Sequence, residues 1–334
     1  MMMKLACVGY MAVLAALMSA ITACGSSGSA ADTAATASGS SSAATQHGNK
    51  IAYLQPLVDP SVQSVTLGMQ CAAKKDGDTI VSLNAGFDQG KQINQFDTAL
   101  TQGAKGIIAN PVNQQAMYPS YAKAHGEGVP VIDYAGPNAS PPNATNVGED
   151  PSAVAQATVD AIMKAIPSGA KAIMIGGPPA VAGVTPRENA FRAAAGKAGI
   201  QILGEEDSLT LAATDVQAKT SSLLLKYPQA NIIWGITGAT ASSAAQAANA
   251  QGDAVGTKVF TVGVGASPDV AADVRAGTLS IMVDNKSYEW GEALVGLMDQ
   301  AIAGQTITNP TLSYTSYTKA DINSWVPPTA RCTS

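Results

Sequence analysis

Short apolar runs and longer amphipathic segments take turns along nearly the whole chain from residue 50 onward. Apolar runs read as buried strands at 50–54, 79–83, 106–109, 129–132, 172–175, 201–204, 231–234, 258–262 and 279–283. Between them, segments of helical period fall at 61–75, 91–102, 113–125, 151–166, 186–198, 214–227, 240–251, 268–276 and 288–303. In the first of these, Val62, Val65, Met69 and Ala72 share one face; in the second, Ile93, Phe96 and Leu100 do. Boundary residues agree. Asn110-Pro111 stops a strand, because the residue before proline favours extended geometry. Asp150 followed by Pro151 reads as an N-cap and a first helical residue.

Strands a few residues long, separated by helices, argue βαβ units and parallel sheets. Roughly ten strands overfill one open sheet. The expected fold is therefore α/β, with two Rossmann-like lobes of mainly parallel strands and a break near residues 148–150.

The first 48 residues follow a different pattern. An apolar run from Leu5 to Met18 is too short to span about 30 Å of hydrocarbon and has the length of a signal-peptide core ending in small residues. Ile21-Thr22-Ala23-Cys24-Gly25 resembles the lipobox of bacterial lipoproteins, which implies a signal peptide over 1–23 and lipidation of Cys24. An ordinary signal peptide cut near Ala23 is the alternative. Residues 24–48 are mostly Ser, Ala, Thr and Gly, a composition that cannot bury enough apolar surface to fold and suits a flexible tether. Tether plus lipid places a globular part outside the cytoplasm, held to the membrane by the anchor alone.

Charged residues make up 13% of the chain and the net charge is −5. Such a chain is a poor partner for nucleic acid, which needs Lys and Arg to neutralise phosphates. Two histidines, His47 and His125, and no CxxC or HExxH spacing argue against a metal site; no cofactor is expected. Cys7 lies in the leader, so Cys71 and Cys332 remain. In an oxidising compartment they read as one disulfide joining the C-terminal tail, 327–334, to the first helix, with two free buried thiols as the alternative.

Several segments resemble the type I periplasmic binding proteins, the ribose- and galactose-binding group of ABC-transporter solute receptors. They are GAKGIIANPVNQQAMYPSYAKAHGEGVPVI (103–132), NVGEDPSAVAQATVDAI (146–162), IGGPPAVAGVTPRENAFRAAAGKAGIQI (175–202) and KVFTVGVGASPDVAADVRAGTLSIMVDNKSYEWGEALVGLM (258–298). The resemblance implies two lobes joined by three hinge strands, 49–147 plus 286–309 and 148–285 plus 311–326. It implies closure on a small polar ligand, a sugar or polyol first, and delivery by a monomer to an ABC permease. A sensory receptor of the same fold, or a nucleoside or amino-acid-like ligand, is the alternative.

Ligands of open α/β sheets sit beyond the carboxyl ends of the strands. By that rule and by the resemblance, the ligand-binding candidates are Gln55, Asp59, Asp133, Tyr134, Arg187, Thr237, Asp284 and Asn285. Arg187 matches the family's ligand-binding arginine, whose fork of donors suits vicinal oxygens or a carboxylate. The chain also departs from the family pattern. Ser61 and Val62 stand where ribose-binding proteins carry stacking aromatics, Ala135 and Gly136 where an Asp-Arg pair is usual, and Gly238 and Gly265 where aspartates are. Trp234 and Trp290 read as packing residues. No G-x-S-x-G elbow or Walker loop occurs in the folded region. Gly263–Gly265 followed by Pro268 is a poor dinucleotide fingerprint, so no enzymatic activity is expected.

Overall fold

The computed structural model describes residues 48–134 and 141–332. The expected leader, Cys24 and nearly all of the tether lie outside the described residues, as do Ala135 and Gly136. Within them the chain runs β1 (Lys50–Gln55), α1 (Pro60–Asp76), β2 (Thr79–Asn84), α2 (Gln89–Thr101), β3 (Gly106–Ala109), α3 (Tyr118–Gly126), β4 (Val131–Asp133) and β5 (Thr145–Asn146). It continues through α4 (Pro151–Ala165), β6 (Lys171–Gly176), α5 (Val184–Lys197), β7 (Gln201–Asp207), α6 (Ala213–Lys226), β8 (Ile232–Gly235) and α7 (Gly238–Ala250). The remaining elements are β9 (Phe260–Val264), α8 (Pro268–Ala276), β10 (Ile281–Asp284), α9 (Ser287–Ile302), β11 (Thr315–Tyr317) and α10 (Pro328–Arg331).

Two sheets form, with strand orders β2-β1-β3-β4-β5 and β11-β10-β9-β8-β6-β7. All pairings are parallel except β10 with β11. Leaving out β11, the two orders are the same pattern, each reversing direction beside its first strand. Helices cover both faces of each sheet. On the first, Ile51, Tyr53 and Ile108 pack with residues of α1 and α9, while Ala52, Leu54 and Ile107 pack with α2 and α3. On the second, Trp234 and Val262 face α4 and α5, where Trp234 stacks on Phe191 at 4.8 Å, and Ile173 and Ile233 face α6 and α7.

Local chemistry sets the boundaries. Asp59 Oδ1 accepts from the Val62 amide at 2.8 Å and caps α1, Pro60 opens it, and Gly77 ends it in the left-handed region. The helix expected over 113–125 is broken: a 3₁₀ turn at Gln115–Met117 precedes α3. Pro119 explains the break, because it lacks the N–H that a continuous helix would use there. β4 starts at Val131 rather than residue 129, just after Pro130. β5 and β11 were not expected; at two and three residues they are too short to show a period.

Helix α9 lies directly on α1. A Cβ at Gly68 would overlap the Tyr288 carbonyl, and one at Gly291 would overlap the Val65 carbonyl, so these two glycines let the helix backbones touch. The Cys71–Cys332 disulfide fastens the tail to the same helix across 261 residues of sequence. By loop-closure entropy a link of that span is worth up to about 5 kcal/mol. No helix of the described residues is long and apolar enough to cross a membrane.

Candidate functional site

In both sheets the strand order reverses beside the first strand, β1 in one and β6 in the other, and a crevice opens at the carboxyl ends there. The two crevices face one cavity, partly open to solvent. Its walls come from the segments leaving successive strands: Leu57 after β1, Asn110 after β3, Tyr134 after β4, Ile236 and Thr237 after β8, Val264 at the end of β9 and Asn285 after β10.

Among the described lining side chains only Asp59, Glu149 and Arg187 carry charge. Arg187 sits in the first turn of α5, after Gly183 has turned the chain through φ 87°. Its Nε donates to Glu149 Oε1 at 2.8 Å, its Nη2 pairs with the same oxygen, and its Nη1 donates to the Ile236 carbonyl at 3.2 Å. Glu149 Oε2 accepts from Asn285 Nδ2 at 2.9 Å, and Asn285 Oδ1 accepts from Ser287 Oγ at 2.9 Å. The three residues thus form one connected polar chain. Arg187 and Glu149 are only 19% and 14% exposed, so their attraction is screened less than that of a surface pair.

Two of these residues sit where the chain passes between the sheets. Glu149 joins β5 to α4 and Asn285 joins β10 to α9. A third passage, after α9, is tied to the first by a reciprocal pair: the Gly148 amide donates to Asn309 Oδ1, and Asn309 Nδ2 donates to the Gly148 carbonyl, both at 2.8 Å. The cavity therefore meets the connecting segments at its polar end.

The rest of the lining is mostly apolar. Phe87 and Leu211 come from corresponding loops, after β2 and after β7, and both are held at positive φ, 62° and 56°. Bulky residues rarely adopt that conformation, and such strain gathers at ligand clamps. Tyr134 packs its ring against Trp290 at 5.9 Å. Burial raises its phenol well above the usual range, and the Glu149 charge adds to this.

Of the sequence candidates, Asp59, Tyr134, Arg187, Thr237 and Asn285 line the cavity. Asp59 and Thr237 also cap α1 and α7, Thr237 Oγ1 accepting from the Thr240 amide at 3.0 Å. Burial raises the Asp59 carboxyl above its ordinary pKa. Gln55, Asp133 and Asp284 do not line the cavity, and each is held elsewhere. Gln55 Nε2 donates to Thr66 Oγ1 at 3.1 Å on α1. Asp133, fully buried, accepts from Tyr121 Oη at 2.9 Å and Gln114 Nε2 at 3.2 Å. Asp284 Oδ1 accepts from the Lys286 amide at 2.8 Å, holding Lys286 at φ 62° where β10 turns into α9.

The glycines that replace the family's acidic residues have a steric cause here. Gly265 is at φ 110°, and a Cβ on it would stand 2.6 Å from Ser61 Oγ. At Gly238 a Cβ would stand 2.3 Å from the Gly265 carbonyl oxygen, and at Gly265 the φ itself strains any side chain. The sequence reading missed Glu149, Asn110, Phe87 and Leu211. Glu149 adjoins Asp150, which absorbed attention as a helix cap, although its own position next to a chain crossing was readable. The strain at Phe87 and Leu211 had no sequence signal.

A family model described as a periplasmic binding protein domain matches residues 54–306. The ribose import binding protein RbsB of Bacillus subtilis (strain 168) is 22% identical over 251 residues, covering 75% of this chain and 80% of the relative. Solved structures share the fold. An ABC transporter periplasmic solute binding protein from Actinobacillus succinogenes 130z with bound D-allose superposes with a TM-score of 0.76 at 18% identity, covering 83% of this chain and 100% of that one. A Caulobacter myo-inositol binding protein bound to myo-inositol gives 0.74 at 22% identity, covering 83% and 95%. With the family model spanning most of the chain, and two parallel sheets opening onto one cavity at their carboxyl ends, the chain belongs to the periplasmic binding protein family.

Proposed function

We propose that this chain is the solute-binding component of an ABC importer and captures a small polar ligand, a sugar or polyol, in the cavity between its two sheets. The observation that carries the reading is the chain Arg187–Glu149–Asn285. It places charge-assisted donors and acceptors inside a mostly apolar cavity, next to the segments that join the two halves. A polyhydroxy compound needs such an edge, and each buried hydroxyl must find a partner. The relatives that bind ribose, allose and inositol support the same ligand class.

The lobes in this reading are 49–147 plus 286–309 and 148–285 plus 311–326. Closure is favoured by whatever contacts the ligand makes better in the closed state. The protein acts as a monomer, held outside the cytoplasm by acylated Cys24 and the tether, and presents the closed form to a permease. It binds its ligand without transforming it.

A thermal-shift panel of D-ribose, D-allose, D-galactose, myo-inositol, nucleosides and amino acids tests the ligand class, because a ligand of the folded form raises the melting temperature. Shifts confined to sugars and polyols are expected; shifts confined to amino acids or nucleosides overturn the assignment. Radiolabelled palmitate should enter the protein in bacterial cells and fail to enter Cys24→Ser. Label that persists in the variant would refute the anchor.

A further inference from the structure

We infer that Glu149 fixes the charge class of the ligand: its carboxylate is a built-in counter-ion for Arg187, so the cavity takes uncharged polyhydroxy compounds and rejects their carboxylate-bearing counterparts. The inference rests on the carbohydrate reading above and deepens it.

An arginine in a binding cavity ordinarily invites an anion, since its fork matches a carboxylate with two parallel bonds. Here the fork is already taken. Nε and Nη2 both reach Glu149 Oε1, and Nη1 reaches the Ile236 carbonyl. The second carboxylate oxygen is held by Asn285 at 2.9 Å, so Glu149 is fixed from both sides. Among the charged lining residues, two carboxylates, Asp59 and Glu149, stand against one guanidinium. No net positive charge is left for an anion.

An incoming carboxylate would have to displace Glu149 from Arg187 or lie beside it. Displacement strands a carboxylate that is 14% exposed next to a second one, and like charges brought together away from water repel strongly. A hydroxyl meets neither obstacle. Arg187 keeps two unused N–H groups of its five, and the Glu149 and Asp59 oxygens keep lone pairs that accept from hydroxyls. The existing ion pair then serves as a recognition edge for neutral groups, donor on one side and acceptor on the other.

Glu149→Gln tests this directly. The amide keeps an oxygen for Arg187 while releasing the guanidinium charge. Calorimetric titration would compare D-galactose with D-galacturonate, D-glucose with D-glucuronate and D-ribose with D-ribonate, with the unliganded melt of each variant as the check on folding. The wild type should bind each acid about a hundredfold more weakly than its neutral partner, and Glu149→Gln should shrink that ratio by about tenfold or more. Glu149→Asp, which keeps the charge, should retain the wild-type ratio. Wild-type protein that binds an acid as tightly as the neutral sugar overturns the inference without needing a folded variant, as does an unchanged ratio in Glu149→Gln. Absence of binding by every neutral sugar, with myo-inositol and D-allose included, would instead defeat the carbohydrate reading and take the inference with it.

Discussion

The two sides of the cavity use their strand ends differently. On the first sheet, the polar residues that close β1 and β4 are spent inside the protein. Gln55 holds Thr66 of α1, and Asp133 ties β4 to Tyr121 of α3 and to Gln114. What that sheet leaves facing the cavity is apolar surface from Leu57, Val62 and Phe87 set among separate polar groups on Asp59, Ser61, Asn110 and Tyr134. On the second sheet and at the crossings, the polar residues face inward as a set: Arg187, Glu149 and Asn285 bind one another and line the cavity. A position beyond a strand brings a side chain near the ligand, but its other partners decide whether it is free to bind. The difference lies in connection: polar groups on the first side stand singly, whereas those on the second side and at the crossings bind one another as one charged set.

Removing the hub of the polar side should have the largest effect. Arg187→Ala deletes three donated bonds and leaves Glu149 without its counter-ion. The charge-assisted bonds that Arg187 offers a ligand hydroxyl go as well, at about 1.5–3 kcal/mol, so affinity for the neutral sugar should fall by about thirtyfold. The unliganded protein should also melt earlier, since the stranded carboxylate is present without ligand. Calorimetry and a melt of the free protein measure the two losses separately. If affinity is retained, recognition does not reside on the second side and the comparison between the walls fails.

An apolar contact on the first side should yield a smaller effect. Phe87 lines the cavity in a left-handed conformation that costs of order 1–3 kcal/mol for a residue with a side chain. Phe87→Ala keeps that conformation and removes the ring. The change should weaken binding about tenfold, the loss expected when apolar contact with one face of a sugar is removed, and should shift the free protein's melt little, because the ring is half-exposed. The same calorimetric series checks it. An effect as large as that of Arg187→Ala would make the first side an equal contributor.

Much of this arrangement was readable beforehand, and the pattern of success follows the physics. The period of apolar positions set the order of elements because the central strands β1, β3, β6 and β8 are buried on both faces and the helices on one. The corresponding strand-end rule put Asp59, Tyr134, Arg187, Thr237 and Asn285 on the cavity. Gln55, Asp133 and Asp284 do not line the cavity, because position after a strand does not disclose where a side chain's hydrogen bonds go: to Thr66 and Tyr121 on neighbouring helices, and for Asp284 to the Lys286 amide two residues on. Thr66, Tyr121 and Gln114 carry no mark in the sequence that singles them out as those partners. Glu149 was missed for the converse reason: its partners, Arg187 and Asn285, are 38 and 136 residues away and meet it only when the sheets come together. Short edge strands and positive-φ loops were equally silent, being products of tertiary packing rather than of local propensity.

The finest test of the comparison is Asp133, the acid that the first side keeps to itself. Burial raises its pKa to about 6 despite the stabilising bonds from Tyr121, Gln114 and Asn146. The folded state therefore holds the proton more tightly than the unfolded chain does, whose aspartates titrate near 3.9. This group's contribution is most favourable below the unfolded value and is lost as pH rises through about 6, the reverse of the usual salt-bridged carboxylate. Asp133→Asn removes that dependence while keeping an oxygen to accept from Gln114 and Asn146 and an amide for the Tyr121 hydroxyl, which can turn to accept. Between pH 5 and 7 the variant's stability in urea should change less than the wild type's, and at pH 7 it should match or slightly exceed it, by about 1 kcal/mol. Sugar affinity should stay within about threefold, because the side chain does not line the cavity. A tenfold loss of affinity in a protein with an undiminished melt would put Asp133 back among the ligand's contacts, and the first side could no longer be said to spend that carboxylate inside the protein.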